Sequence, residues 1–395
     1  MKIALVIPMN GDDKTRSFYD FKFYASFLFS RKYISYLLAI PTLASLTPPH
    51  HEIRVFDENI EEIDYSWKAD LVGITVRTMY AGRAYAIAKK YGELSIKTVL
   101  GGIHPSMCPD EAMAHCDSVV VGEAENVWAT LLEDAEAGRL KKRYEHGASS
   151  DMALSPEIYR TELSRDRYLQ DIVQTTKGCP FHCEFCSVYA FDGQKIRHKS
   201  IEQVVQEIVD INSIHSKYKS KNAIFIADDN ILADRKYARE LFTALKPHNI
   251  NWMCQSSINI SREDELLALM RDSGCGAIFI GLESISQANL SLMHKEINQR
   301  FDYAKAIKKI QSYGMLVHSS FIVGYDHDSE ATFRELIDFI ADTKLLIPSS
   351  TSSRRFRERS CSRASRRTAA SFTTTGAATT PRTSSFRPLT RRRGN

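Results

Sequence analysis

The chain has little of what marks a secreted, membrane-spanning or disulfide-stapled protein. Only eight of its 395 residues are cysteine, and their spacing forms no disulfide framework. Thiols used so sparingly and so unevenly point to a reducing compartment, the cytoplasm, where they serve metals or catalysis. No apolar run approaches the roughly 20 residues that a spanning helix needs, and YLLAIPTLASL, residues 36–46, falls well short. The opening MKIALVIPM has one lysine and an apolar run that stops at a proline. It reads as a buried first strand, not as a secretory signal.

A basic nucleic-acid footprint is missing too. The net charge of +4 misleads, because residues 349–395 hold twelve Arg, one Glu and neither Lys nor Asp. That segment carries +11, which leaves −7 on residues 1–348. An acidic body argues against a nucleic-acid partner. Residues 349–395 also lack Ile, Val, Met, Tyr and Trp while holding nineteen Ser and Thr, so they are expected to be a disordered tail. A natural basic tail has such a composition. So does GC-rich coding sequence read in a shifted frame, which the complete replacement of lysine by arginine favours.

The remainder, with 43% hydrophobic and 25% charged residues over the whole chain, is ordinary for a globular protein of two or three domains. Apolar runs at 2–8, 52–57, 70–76, 97–102 and 118–123 alternate with helical patterns such as AGRAYAIAKKYGEL, 81–94. Continuous β-branched runs suit strands covered on both faces, so residues 1–145 read as a doubly wound, Rossmann-like α/β domain. Residues 146–165 read as a polar linker. Strand patterns restart at 171–176, 223–228, 250–257, 277–284 and 315–324, each followed by a helical stretch, and KLLIPS at 344–349 starts a sixth. This is a (βα)6-type partial barrel over residues 166–348, expected to be truncated at its sixth strand, with its chemistry at the C-terminal strand ends.

The first of those strand ends carries KGCPFHCEFCSVYAF, residues 177–191, in which Cys179, Cys183 and Cys186 share one loop. Thiolates favour zinc and iron–sulfur clusters. A structural zinc wants four ligands, usually as two separated pairs, and no second C-x2-C pair exists here. Three thiolates on one loop can instead hold three irons of a cubane and leave the fourth open. Cys254 and Cys275 lie on or near apolar elements and read as small hydrophobes, while Cys108 and Cys116 are isolated.

The C-x3-C-x2-C spacing, with Phe185 before the last cysteine, closely resembles the radical S-adenosylmethionine superfamily. The resemblance implies a 4Fe-4S cluster on Cys179, Cys183 and Cys186, whose open iron chelates S-adenosylmethionine. It implies cleavage to a 5′-deoxyadenosyl radical that abstracts hydrogen, the cofactor supplying the hard chemistry. Other strand ends agree: ADDN (227–230), CQSS (254–257), GLES (281–284) and SFIVGYD (320–326). By resemblance Asp228, Asp229 or Asn230 match the position that holds the methionyl amino group. Glu283 and Ser284 match positions near the ribose and carboxylate, and Gln255 is a further candidate. The plain alternative for each acid is a helix N-cap or solvated turn.

An α/β domain ahead of such a barrel resembles the cobalamin-binding class of the superfamily, through VFDENIE (55–61), DLVGIT (70–75), GGIHPS (101–106), DEA (110–112) and VVVGEAE (119–125). The resemblance covers about residues 1–345 and places cobalamin near Thr75, Gly101, Gly102, His104, Gly122 and Glu123. The D-x-H-x-x-G motif that often supplies a lower axial histidine is missing. His104 therefore reads first as a turn residue, with corrinoid contact left open, as is a domain that binds no corrinoid. The class implies methyl transfer to an unactivated carbon of a small-molecule or lipid-like substrate, with electrons from a donor such as flavodoxin or ferredoxin. A radical oxidoreductase or cyclase without methyl transfer is the alternative, and an inactive binding module left by truncation is another. No residue is assigned a catalytic role of its own.

Overall fold

The computed structural model describes residues 1–9, 33–158, 160, 167–218, 223–345 and 347–352. Six strands build the first sheet: β1 (Lys2–Ile7), β2 (Glu52–Asp57), β3 (Leu71–Thr75), β4 (Lys97–Gly101), β5 (Ser118–Val121) and β6 (Arg143–Glu145). They run parallel in the order β2-β1-β3-β4-β5-β6. That is a doubly wound sheet whose strand order reverses beside β1, where ligands bind at the C-terminal strand ends.

Strand β1 shows why its run is apolar throughout. Ile3, Leu5 and Ile7 pack with Tyr36, Ile40, Trp128 and Leu131 on one side. Ala4 and Val6 pack with Ala81, Ala84, Ile87 and Tyr91 on the other. A strand alternates its side chains between two faces, so cover on both leaves no polar positions.

The next segment carries β7 (Gln170–Val173), the short β8 (Thr176–Lys177) and β9 (Arg197–His198), then β10 (Ala223–Ile226), β11 (Trp252–Ser256), β12 (Cys275–Glu283), β13 (Leu316–Val323) and β14 (Ile347–Ser352). The large sheet is parallel, in the order β14-β13-β12-β11-β10-β7. Sequential order with helices between strands is a partial barrel with β7 and β14 at its edges. Its outward residues, Ile224, Ile226, Trp252, Cys254, Ile278, Ile280, Val317 and Phe321, form one core with Ile208, Leu241, Phe242, Leu267 and Ile307 of the helices. Phe225, Met253, Gln255, Phe279, His318 and Ser320 alternate with these and line the inner face, each half-buried.

The sixth strand extends past Pro348, pairing with β13 from His318↔Ile347 to Val323↔Ser352. The expectation of a disordered tail falls, beyond Ser352, outside the described residues. The connection read as a linker is packed: Ser150, Met152 and Arg160 are buried. The domains also share hydrogen bonds, from Tyr168 OH to Asp57 Oδ2 (2.7 Å) and from Tyr36 OH to Asp171 Oδ1 (3.0 Å). No helix among the described residues is long and apolar enough to cross a membrane.

Candidate functional site

The cysteine loop leaves the barrel after β8 and returns into β9, which pairs antiparallel with β8. Gly178 starts it at φ +93°, and a Cβ there would lie 2.6 Å from Lys195 O. Only glycine fits so close a backbone approach. The Cys179 N–H then donates to Gly193 O (3.2 Å), the Cys186 N–H to Cys183 O (3.0 Å), and the Glu184 N–H to Met293 O (3.1 Å). All three cysteines are free thiols, with Cys183 buried.

Their chemistry and spacing fit a cluster. Burial pushes each thiol up, Cys186 to about 12, so a metal must displace their protons on binding. Among the described residues only His50, His51 and Glu136 bring three ligand atoms within 4.8 Å of one another. Three thiolates on one short loop form a triangle that can hold three irons of a cubane and leave the fourth open.

A cation faces this triangle. Lys295 is half-buried, with its Nζ 3.2 Å from Glu283 Oε1 and 5.7 Å from the Phe185 ring centre. Burial alone would lower its pKa, but Glu283 and the thiols of Cys183 and Cys186 hold it above the usual lysine value. Glu283 takes a left-handed backbone, φ +66°, at a register shift where β12 leaves β13. Asn298 Nδ2 donates to Gly281 O and Leu282 O (3.0 Å each), and Tyr303 OH donates to Leu282 O (3.0 Å), fixing that bend. Ser284 is buried beside it.

The two aspartates at the end of β10 face different tasks. Asp228 is fully buried and accepts from the N–H groups of Thr175 (2.7 Å) and Thr176 (3.0 Å), clamping the approach to the cysteine loop. Asp229 Oδ2 is buried with no hydrogen-bond partner. Burial, and then Asp192 and Asp228, push Asp229 up to about 7. An orphaned carboxylate oxygen beside the thiol loop fits a cationic group. Asn230 Oδ1 accepts from the Ser257 and Leu232 N–H groups (3.3 Å each), and Gln255 Nε2 donates to Asp228 O (3.3 Å), so both brace the strand ends.

Asp229 carries a pH prediction. In the cluster-free chain it keeps a proton that the unfolded chain, with a carboxylate near 3.9, has released. Its contribution is complete below the unfolded value and is lost as pH rises through about 7, at no more than about 1.4 kcal/mol per pH unit. Thermal unfolding at about pH 5 and about pH 8 should show the Asp229→Asn variant losing less stability than the wild type.

At the C-terminal ends of β3–β5, Thr75 pairs with Gly101. Ser106 Oγ bridges Gly102 O (2.8 Å) and the Gly122 N–H (2.9 Å). Gly102 needs its φ of +103°, since a Cβ would meet Val76 O at 3.0 Å, while a Cβ on Gly122 would meet open space. This bare backbone edge fits the flank of a large flat cofactor. His104 is buried, with Nε2 2.8 Å from Tyr85 OH, and burial lowers its pKa. Glu123 points to the barrel instead: its carboxylate accepts from Arg197 Nη1 and Nη2 (2.9 Å each) and pairs with Lys177 at 3.2 Å. Burial alone would raise Glu123, but these cations hold it at about 2.

Lys295 and the second role of Glu123 escape sequence reasoning. Lys295 has no motif around it, and only the fold lays its segment over the cysteine loop.

Comparison with known proteins shows the family of both domains. The Radical SAM superfamily model matches residues 173–340 and the B12 binding domain model residues 46–132. Bacteriochlorophyllide d C-8(2)-methyltransferase of Chlorobaculum tepidum is 33% identical over 328 residues, covering 79% of this chain and 72% of that protein. Hopanoid C-2 methylase of Rhodopseudomonas palustris is 28% identical over 321 residues, covering 77% and 59%. The solved structure of the radical S-adenosylmethionine methyltransferase TsrM from Kitasatospora setae superposes with a TM-score of 0.68 at 16% identity, covering 89% of this chain and 72% of that one. The chain belongs to the cobalamin-dependent radical S-adenosylmethionine methyltransferases. Its cofactors are a 4Fe-4S cluster, S-adenosylmethionine and cobalamin.

Proposed function

We propose that this enzyme transfers a methyl group to an unactivated carbon of a polycyclic, largely apolar small molecule. The observation that carries the reading is the convergence of three thiols, the unpartnered Asp229 carboxylate and the Glu283–Lys295 pair above an inner face lined by Phe225, Met253 and Phe279. Relatives named for bacteriochlorophyllide d and for a hopanoid support the substrate class.

In this reading Cys179, Cys183 and Cys186 hold the cluster on residues 166–348. When bound, the cofactors supply the 5′-deoxyadenosyl radical and the methyl group. Asp229 accepts the aminium of S-adenosylmethionine, with Asp228, Asn230 and Gln255 bracing its strand end. Glu283 and Ser284 face the ribose and carboxylate, and Lys295 balances the local negative charge. Thr75, Gly101, Gly102 and Gly122 flank the corrinoid on residues 1–145, with His104 behind them. His318, whose Nε2 is buried without a partner and which burial keeps neutral, offers the substrate one polar point on the inner face. The protein works in the cytoplasm, taking electrons from a small flavin or iron–sulfur carrier.

Anaerobic reconstitution with iron, sulfide and cobalamin, then turnover with methyl-deuterated S-adenosylmethionine and a porphyrinoid or hopanoid, tests this. Formation of both 5′-deoxyadenosine and S-adenosylhomocysteine, with deuterated methyl in the product, is expected. Oxidation of the substrate without methyl gain would favour a cyclase, a reading supported by a 26% identical magnesium-protoporphyrin ester cyclase. Release of neither nucleoside would overturn both.

A further inference from the structure

The cysteine loop closes on a two-residue ladder in which Lys177 of β8 lies directly opposite Arg197 of β9. Like charges at one cross-strand position repel, and here both side chains are largely buried. The repulsion is relieved from the other domain. Glu123, just after β5, spans both cations: Arg197 Nη1 and Nη2 donate to its two oxygens at 2.9 Å, and Lys177 Nζ lies 3.2 Å away. Glu125 adds a second acceptor for Lys177 at 2.8 Å. Arg197 also donates to Ser150 O (2.7 Å) and to Asp192 O (3.0 Å), the latter inside the loop. Gly178 and Cys179 follow Lys177 immediately and press against Lys195 and Gly193.

We propose that Glu123 is a positioning residue that closes the base of the cysteine loop, so that the cluster's seat takes its shape only with the N-terminal domain docked. This rests on the reading of that loop as the seat of the cluster. Buried ion pairs add little net stability, since desolvation offsets attraction, but they fix register, and without Glu123 Lys177 keeps only the Glu125 carboxylate while Arg197 keeps the Ser150 and Asp192 carbonyls. Without Glu123 the two opposed cations push the ladder apart two residues from Cys179. The same carboxylate thereby ties the sheet edge that flanks the corrinoid to the loop that holds iron, keeping the two cofactors at a set separation.

Hydrogen–deuterium exchange on the full-length, iron-free chain tests this without any cofactor. Glu123→Gln should speed exchange of the amides at 178–196 by roughly tenfold, equivalent to about 1.4 kcal/mol, with β10–β13 unchanged. Glu125→Gln, which loses only the Lys177 contact, should do less. After anaerobic reconstitution the Glu123→Gln chain should hold less iron, and its reduced cluster should give a heterogeneous electron paramagnetic resonance signal where the wild type gives one species. Wild-type exchange rates in the loop of Glu123→Gln would overturn the proposal whether or not a cluster assembles. A wild type that assembles no 4Fe-4S cluster would instead overturn the reading of the loop and leave the exchange comparison standing. If Glu123→Gln loses protection throughout, Arg197→Lys, which keeps the charge but breaks the two-nitrogen grip, takes its place. Faster exchange confined to the loop then supports the proposal, and unchanged exchange overturns it.

Discussion

Cys183→Ala should abolish iron–sulfur absorption after anaerobic reconstitution and remove 5′-deoxyadenosine release, while leaving the fold intact. The two halves of that expectation have separate causes. In the cluster-free chain Cys183 is a small buried side chain that packs as a hydrophobe, so removing its sulfur costs about 1 kcal/mol or less. The backbone bond from the Glu184 N–H to Met293 O does not involve the side chain and keeps the loop in place. Cluster binding is different, because the triangle has no spare donor. Among the described residues the other cysteines are Cys108, Cys116, Cys254 and Cys275. Cys254 and Cys275 are buried in the core outside the barrel sheet, with Cys254 facing the helices. Two thiolates leave two irons open to solvent, and the cluster is lost. Circular dichroism and iron analysis of Cys183→Ala beside Cys254→Ala separate ligand loss from misfolding. Cys254→Ala should load iron normally, and a Cys183→Ala chain that retains a wild-type cluster would refute the ligand assignment.

How far such a site can be read from sequence depends on whether its residues are local. The thiol triad is legible because one loop holds all three. The strands of both sheets are legible because continuous apolar runs such as KIALVI and CGAIFIGLE are needed where both faces are covered. The two-residue ladder of β8 and β9 and the three-residue β6 have too few positions to show any period, so nothing in the sequence announces them. Asp228 and Asp229 illustrate a finer limit. Adjacent residues at a strand end point to opposite faces, and only coordinates show that Asp228 is consumed by Thr175 and Thr176 while Asp229 is left unpaired. VVVGEAE reads as a corrinoid edge from its glycine, yet its Glu123 is committed to Arg197 and Lys177, which arrive from more than 50 residues away in the chain. Long-range charge pairing leaves no local trace.

Lys295 is the most consequential of these long-range partners, and Lys295→Met should impair both stability and iron loading. The substitution conserves length and apolar stem, so packing is largely kept. What disappears is the cation 3.2 Å from Glu283. Glu283 then remains as a buried carboxylate without a partner, and breaking a buried pair this way costs about 3–5 kcal/mol. Removing both charges, as Lys295→Met with Glu283→Gln, should recover most of that loss, because neither partner is left stranded. Iron loading should not recover with it. Burial pushes the thiols of Cys179, Cys183 and Cys186 up, and Lys295 pulls each of them down. Without that pull, thiolates form less readily and iron uptake needs a higher pH. The sign follows from charge: an ammonium favours the anionic sulfur, so its loss raises the pH at which half the chains load iron. Iron incorporation measured across pH for the wild type, Lys295→Met and the double variant, beside their unfolding temperatures, checks both halves. If Lys295→Met loads iron along the wild-type pH profile, the lysine serves Glu283 alone and not the thiol triangle.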